Sequence, residues 1–180
     1  MLLNIQPSLE NKWIILEPLK EYHFEALYKV AKDPLIWEQH PNHDRYKKAI
    51  YAEFFKDSIE SKGALIIIDK RNHEIIGSSR FKRLNKLEDA IEIGWSFLAR
   101  KYWGGTYNKA MKTLMIEHAF QSIHKVVFYI GTENVRSQKA VEKLGGVKIT
   151  SPNYPDIVKN EDDTLTYLIS KYEWGRRRDK

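Results

Sequence analysis

Residues 99 to 115, ARKYWGGTYNKAMKTLM, set Arg100, Lys101, Tyr102 and Trp103 before a Gly104-Gly105 step that runs straight into an amphipathic helix. A helix N-terminus leaves backbone N–H groups unpaired and carries partial positive charge, and small residues there let an anion reach the main chain. The pattern reads as a phosphate cradle. It is neither of the familiar nucleotide signatures: the chain has no GxxxxGK followed by Ser or Thr, and no GxGxxG behind its first strand.

Glu92 is the second residue with chemical promise, in the strand DAIEIGWSFL, 89 to 98. Alternation puts Ile91, Ile93, Trp95 and Phe97 on one face and Ala90, Glu92, Gly94 and Ser96 on the other. The carboxylate is then expected to face a cleft, where partial desolvation raises its proton affinity. The plainer reading is a strand carboxylate paired with a nearby Lys or Arg. His40 and His43, in HPNHD, look like a metal pair. An HxxH in a proline-bearing turn lacks a third ligand and helical spacing, so no metal is expected. His118, on a helix stripe, reads as a satisfied core residue.

A chain of 180 residues with 42% hydrophobic content suits one domain, 1–180, with a sizeable core. Cysteine is absent, which excludes disulfides, thiolate metal sites and cysteine nucleophiles. A formal charge of +6 favours anionic ligands, a class that covers nucleic acid, membrane surfaces and phosphorylated cofactors alike. The basic stretch GRRRDK, about 175–180, reads as a solvated tail, and no alternating aromatic-basic pattern favours nucleic acid. No apolar run is long enough to span a bilayer and MLLNIQPSLENK lacks signal-peptide features, so a soluble, cytoplasmic protein without a membrane partner is expected.

These residues need elements to position them. WIILEPL (13–19) reads as a strand, followed by helices over about 20–32 and 44–62 with the loop WEQHPNHD between them. ALIIID and EIIGSSRFKRL make a hairpin, and DAIEIGWSFL is the next strand. A helix with the stripe Met111, Leu114, Met115, His118 and Ala119 runs to about 122; then come the strand KVVFYIGT, a short helix in ENVRSQKAVEKLGG, and the strands VKITS and TLTYLISKYEW. Antiparallel hairpins mixed with strand-helix crossovers predict an α/β fold: a mixed, mostly antiparallel central sheet flanked by helices.

The element order and the segment from 64 to 150 resemble the GNAT superfamily of N-acetyltransferases, nearest its RimJ/RimL-like branch. In the family's acetyl-CoA loop, Arg or Gln, x, x, Gly, x, Gly or Ala, the corresponding residues here are Lys101, Gly104 and Thr106. Asn134, Ser137 and Leu144-Gly145 match its strand-to-helix segment, and IEIGWSFL resembles the strand that carries a carboxylate shortly before a glycine. Thr106 and Gly146 depart from the pattern, standing where a smaller and a bulkier residue are usual.

The resemblance implies direct transfer of acetyl from acetyl-CoA to an amine, with both bound together and no metal. Glu92 is then the base, through a water, and Ser137 the acid toward the CoA sulfur. Phe97 and Leu98 offer backbone groups to the pantetheine, while Arg100, Lys101, Trp103, Gly104, Gly105, Thr106 and Tyr107 line the pyrophosphate. Local readings stand beside these roles. Ser137 also suits a helix first turn, Asn134 either caps that helix or holds the pantetheine arm, and Trp103 and Tyr107 equally suit packing. In the resembling fold Trp37, His40 and His43 lie beside the acceptor, a protein N-terminus or a small-molecule amine. The alternatives are a non-catalytic CoA-binding module of the same fold and a basic nucleic-acid binder.

Overall fold

In the computed structural model, which describes residues 2–84, 87–159 and 162–178, the strands form one mixed sheet. In chain order the elements are β1 (Leu9–Glu10), β2 (Ile14–Pro18), α1 (Phe24–Ala31), α2 (Lys48–Glu60), β3 (Ala64–Asp69), β4 (Ile75–Arg83) and β5 (Ala90–Leu98). They continue with α3 (Thr106–Ala119), β6 (Lys125–Gly131), α4 (Val135–Lys143), β7 (Val147–Ile149), β8 (Thr164–Ser170) and α5 (Lys171–Arg178). The sheet order is β1-β2-β3-β4-β5-β6-β8-β7. All neighbours are antiparallel except β5 and β6, so the mostly antiparallel sheet flanked by helices is as the sequence predicts.

The parallel pair is also the shortest match of two long strands. Only Ala90, Ile91 and Glu92 pair with Lys125, Val126 and Val127, although β5 continues to Leu98 and β6 to Gly131. Beyond Glu92 the sheet forks. A bulge in β5 accompanies the fork: between the pairs Arg80↔Gly94 and Ser78↔Phe97, β4 spends Ser79 alone while β5 spends both Trp95 and Ser96. Trp95 takes up the extra length with φ at 52°, a left-handed conformation rare for a bulky residue. Such a bulge bends its strand and re-aims the side chains after it.

That bulge overturns the simple alternation read from the sequence. Ile91, Ile93 and Leu98 join the core beneath α3, with Met111, Met115 and Ala119. Phe97 instead joins the core on the opposite face, with Leu27, Tyr51, Phe54 and Phe55 of α1 and α2, and Trp95 packs there too. Burying each large side chain in these two layers stabilises the fold by roughly 1.5–3 kcal/mol.

Two further boundaries differ from expectation. Residues 43–46 form a separate 3-10 turn, and α2 proper begins at Lys48. The last strand stops at Ser170, whose hydroxyl accepts from the Glu173 N–H at 3.2 Å and starts α5. Lys171 to Trp174 are therefore helical, and Trp174 packs on Phe120 at 6.2 Å between ring centroids. The basic stretch from Gly175 continues this helix while Gly175, Arg176 and Arg177 stay exposed, with Arg177 lying against Gly145. Its last two residues, Asp179 and Lys180, lie outside the described residues.

Candidate active site

The fork opens a cavity of about 990 Å³. Its walls come from β5 beyond Glu92, the end of β6, the first turns of α3 and α4, the loop from Ile36 to Arg45, and Lys159 with Asp163 and Thr164. Among the described residues no strand pairs with the β6-facing edge of β5 from Ile93 onward, which leaves main-chain groups there open to a ligand.

Gly104 and Gly105 form the mouth of this cavity at the start of α3. Gly104 sits at φ 72°, where a side chain is strained, and the space a Cβ would occupy is open at both glycines. Gly105 occupies the cap position with no side-chain cap, which leaves the first N–H groups of α3 without intrahelical partners. Lys109 of α3 and Lys139 and Lys143 of α4 also line the cavity. An open glycine step, bare N–H groups and local positive charge fit the phosphates of a CoA thioester.

Several residues expected to line that cradle lie elsewhere. Arg100 is exposed and paired with Asp33, and Lys101 is exposed and paired with Glu74 at 3.0 Å; neither lines the cavity. Thr106 is exposed and off the wall. Tyr107 turns away: its hydroxyl donates to buried Asp69 at 3.2 Å, as does that of Tyr102 at 3.0 Å, so both tyrosines anchor the loop to β3. Trp103 combines both readings. Its indole N–H donates to the Leu98 carbonyl at 2.9 Å, occupying one of the main-chain groups expected for pantetheine, while Trp103 itself lines the cavity with Phe97 and Leu98. Gly146, a departure from the family pattern, has a steric cause: a Cβ there would lie 2.3 Å from Val141 Cγ1.

Glu92 stands at the crotch of the fork, buried and on the cavity wall. Burial pushes its carboxyl above the usual range, and the positive charges of Lys159, Lys82 and Arg80 offset part of that rise. Ser137, in the first turn of α4, is half-buried on the same cavity. Asn134 caps that helix, its Oδ1 accepting from the Ser137 N–H at 3.1 Å, and also lines the cavity.

Of the loop residues, Trp37 and His40 line the cavity and His43 does not. Trp37 is buried, its indole N–H held by the Ala31 carbonyl at 2.7 Å, so it forms floor more than contact surface. His43 contacts the Trp37 carbonyl at 3.2 Å and supports the loop. Burial and the neighbouring Arg45 drive His40 down to about 3, which keeps the ring neutral.

Three wall residues escape the sequence motifs. Arg136 straps α4 to the loop, its backbone N–H donating to Gln39 at 3.1 Å and its guanidinium to the Ile36 carbonyl at 3.2 Å while lying 3.8 Å over the Trp103 ring. Lys112 is buried under α3, donates to the Ser96 hydroxyl at 3.1 Å, and is lowered by burial to about 8. It lies three residues before Met115 on the apolar stripe, a signal that helical periodicity carries. Arg45 belongs to a loop without a motif.

A mixed sheet forked after a buried carboxylate, with an uncapped glycine step beside the fork, defines the acyl-CoA N-acyltransferase architecture. Residues 14–147 match the model of the acetyltransferase (GNAT) domain, and the chain belongs to that family. Solved structures share its fold at low identity. A GNAT-family acetyltransferase from Bacillus anthracis is 18% identical with a TM-score of 0.74, covering 92% of this chain and 99% of that one. The spermidine N-acetyltransferase of Vibrio cholerae, solved with CoA and spermine, is 14% identical with a TM-score of 0.67, covering 91% and 99%. Mycobacterium smegmatis RimJ, solved with CoA-disulfide, is 16% identical with a TM-score of 0.64, covering 89% and 83%. No curated protein matches the chain.

Proposed function

We propose that this protein is an N-acetyltransferase of the RimJ/RimL-like branch, acting in the cytoplasm, which moves acetyl directly from acetyl-CoA to a primary amine bound beside it. The acceptor is a small-molecule amine or a protein N-terminus. The observation that carries the reading is that Glu92, Ser137 and the Gly104-Gly105 step share one cavity at the fork. Bound acetyl-CoA supplies an activated thioester carbonyl and a thiol leaving group.

The chain's own residues do the rest. Main-chain N–H groups at the start of α3 hold phosphate oxygens, and the unpaired edge of β5 orients the amides of the arm. Glu92 takes a proton from the acceptor ammonium through a water; its raised proton affinity brings it nearer to the amine it must deprotonate. The nitrogen–carbon bond forms as the carbon–sulfur bond breaks; the nitrogen then gives up its second proton to solvent, while the Ser137 hydroxyl gives a proton to the departing sulfur and regains one from solvent.

The test exploits the missing cysteines. Protein, acetyl-CoA and a panel of amines, peptides with different N-termini among them, are incubated while free CoA is followed with a thiol reagent, to which the chain adds no background. Thiol release that depends on an amine is expected. Absence of release with every amine, together with measurable acetyl-CoA binding, points to a non-catalytic CoA-binding module instead.

A further inference from the structure

The loop side of the cavity holds two arginines whose charge Asp57 offsets only at a distance, with Glu92 also acting on Arg80. Arg45 lines the cavity with its guanidinium 4.3 Å from the Phe54 ring centroid and 5.6 Å from that of Trp37. Arg80, buried in β4, lies 4.5 Å over Trp95 and 5.8 Å from the same Phe54 ring, and its Nε has no hydrogen-bond partner. Among the described residues no carboxylate comes within ion-pair distance of either guanidinium. Burial lowers both to about 10, and for Arg45 the neighbouring charge of Arg80 adds to the effect. Arg45 is half-buried on the cavity wall, with buried Arg80 behind it, and cations withdrawn from water without an ion-pair partner favour an anion beside them.

His40 gives an independent sign. Its Nδ1 accepts from the Asn42 N–H at 2.9 Å, and its Nε2 faces the Arg45 guanidinium at 3.1 Å. A neutral imidazole has one lone pair and one N–H, so two donors approach a ring able to satisfy one of them. An imidazolium satisfies neither. An oxyanion seated between Arg45 and His40 removes the conflict, because it accepts from the guanidinium and from Nε2–H while Nδ1 keeps its backbone donor.

We infer that the acceptor amine itself carries an oxyanion, a carboxylate or a phosphate, which Arg45 and His40 grip while its amino group lies toward Glu92. The inference rests on the acetyl-transfer reading of this cavity and names the substrate class. The overall field agrees: seven lysines and arginines line the cavity against two carboxylates, Glu92 and Asp163. A polyamine without an anionic group meets repulsion from Arg45, Arg80 and Lys159 on its way to the base.

Matched pairs test it: amino acids and dipeptides against their C-terminal amides, ethanolamine phosphate against ethanolamine, with spermidine as the polycation. Binding to CoA-saturated protein is measured by calorimetry and turnover by CoA release. In at least one pair the anionic member is expected to bind roughly 10- to 100-fold tighter than its neutral partner, the range of one charge-assisted contact. Arg45→Gln is expected to erase that preference and Arg45→Lys to keep part of it, both with CoA affinity unchanged as the check on folding. The carboxylate and phosphate pairs separate the two sources of the oxyanion. The inference is overturned when neutral amines or spermidine bind as well as every anionic member, or when the preference survives in Arg45→Gln. Anionic amines that bind through Arg45 yet release no CoA leave the anion site standing and remove the acetyl-transfer reading.

Discussion

The two ends of the cavity are built from different material. At the glycine end the groups open to a ligand are main-chain: an uncapped helix start, an open Gly104-Gly105 step and the unpaired edge of β5. At the loop end they are side chains, Arg45 and His40 beside Trp37, with Phe54 packed under Arg45, tied to α4 by Arg136. A main-chain site recognises the part of a ligand that does not change, and it tolerates substitution of nearby charges. A side-chain site sets which partner is accepted, and it changes with single residues. Glu92 sits where the two ends meet, at the last paired residue of the fork.

The largest expected effect belongs to that meeting point. Glu92→Gln keeps the shape and removes the proposed base, so kcat should fall about 10²- to 10⁴-fold with little change in the KM for acetyl-CoA. The wild-type rate should also rise with pH along an acidic limb displaced above the ordinary value of 4.5, since burial raises this carboxyl. Stability carries the opposite sign. A carboxyl with a raised native affinity binds protons the unfolded chain has already lost, so ionised Glu92 costs stability above about 4.5. The Gln variant should therefore unfold at the same or a higher temperature at pH 7, and a large loss of stability there would make Glu92 a structural residue.

Next in size is Lys112, beneath α3 between the two ends. Its native value of about 8 lies below the ordinary 10.5, so the native state gives up the proton first and stability rises with pH between those values. The gap corresponds to about 3 kcal/mol. Lys112→Met should stabilise the protein by up to that amount at pH 7, less the lost hydrogen bond to Ser96, and the advantage should shrink toward pH 10. Urea denaturation at both pH values decides it: an advantage independent of pH would be a packing effect.

A smaller effect tests the main-chain end directly. Gly104 holds φ at 72°, and a β-branched residue there strains the loop by about 1–2 kcal/mol. Gly104→Val should raise the KM for acetyl-CoA roughly tenfold, and leave the preference among amines as it was. A change in amine preference would mean that the two ends are not separate in function.

The sequence makes the main-chain end legible and leaves the side-chain end nearly blank, for a physical reason. Gly104-Gly105, Asn134 and the β-branched ALIIID act through local backbone geometry, and local geometry is written in neighbouring residues. The bulge at Trp95 is invisible because AIEIGWSFL alternates without a break, and only the register against β4 shows where a residue is added. Helix α5 is missed because Tyr172 and Trp174 look like strand residues, while the partner that draws Trp174 into a helix, Phe120, is far away in sequence. The loop carrying Arg45 is fixed by Arg136, about a hundred residues later, a contact no local pattern announces. Charges are the least legible of all: Arg100 and Lys101 sit beside the glycine step in sequence but turn to Asp33 and Glu74.

That last pairing gives the smallest and most diagnostic prediction. Lys101 occupies the first position of the family's loop pattern, where a basic side chain invites the reading that it binds phosphate. Its ammonium is exposed, held 3.0 Å from Glu74 and off the cavity wall. Exposed pairs of this kind contribute little to stability, and removal of this one takes nothing from the main-chain N–H groups of α3. Lys101→Ala should therefore change the KM for acetyl-CoA by less than about twofold, with no change in its salt dependence. Lys109→Ala, on the wall itself, should weaken binding more, and the loss should diminish as salt screens the wild-type attraction. If Lys101→Ala proves the more damaging of the two, the cradle draws on side-chain charge at the loop's first position, and the contrast between a main-chain end and a side-chain end fails at its simplest point.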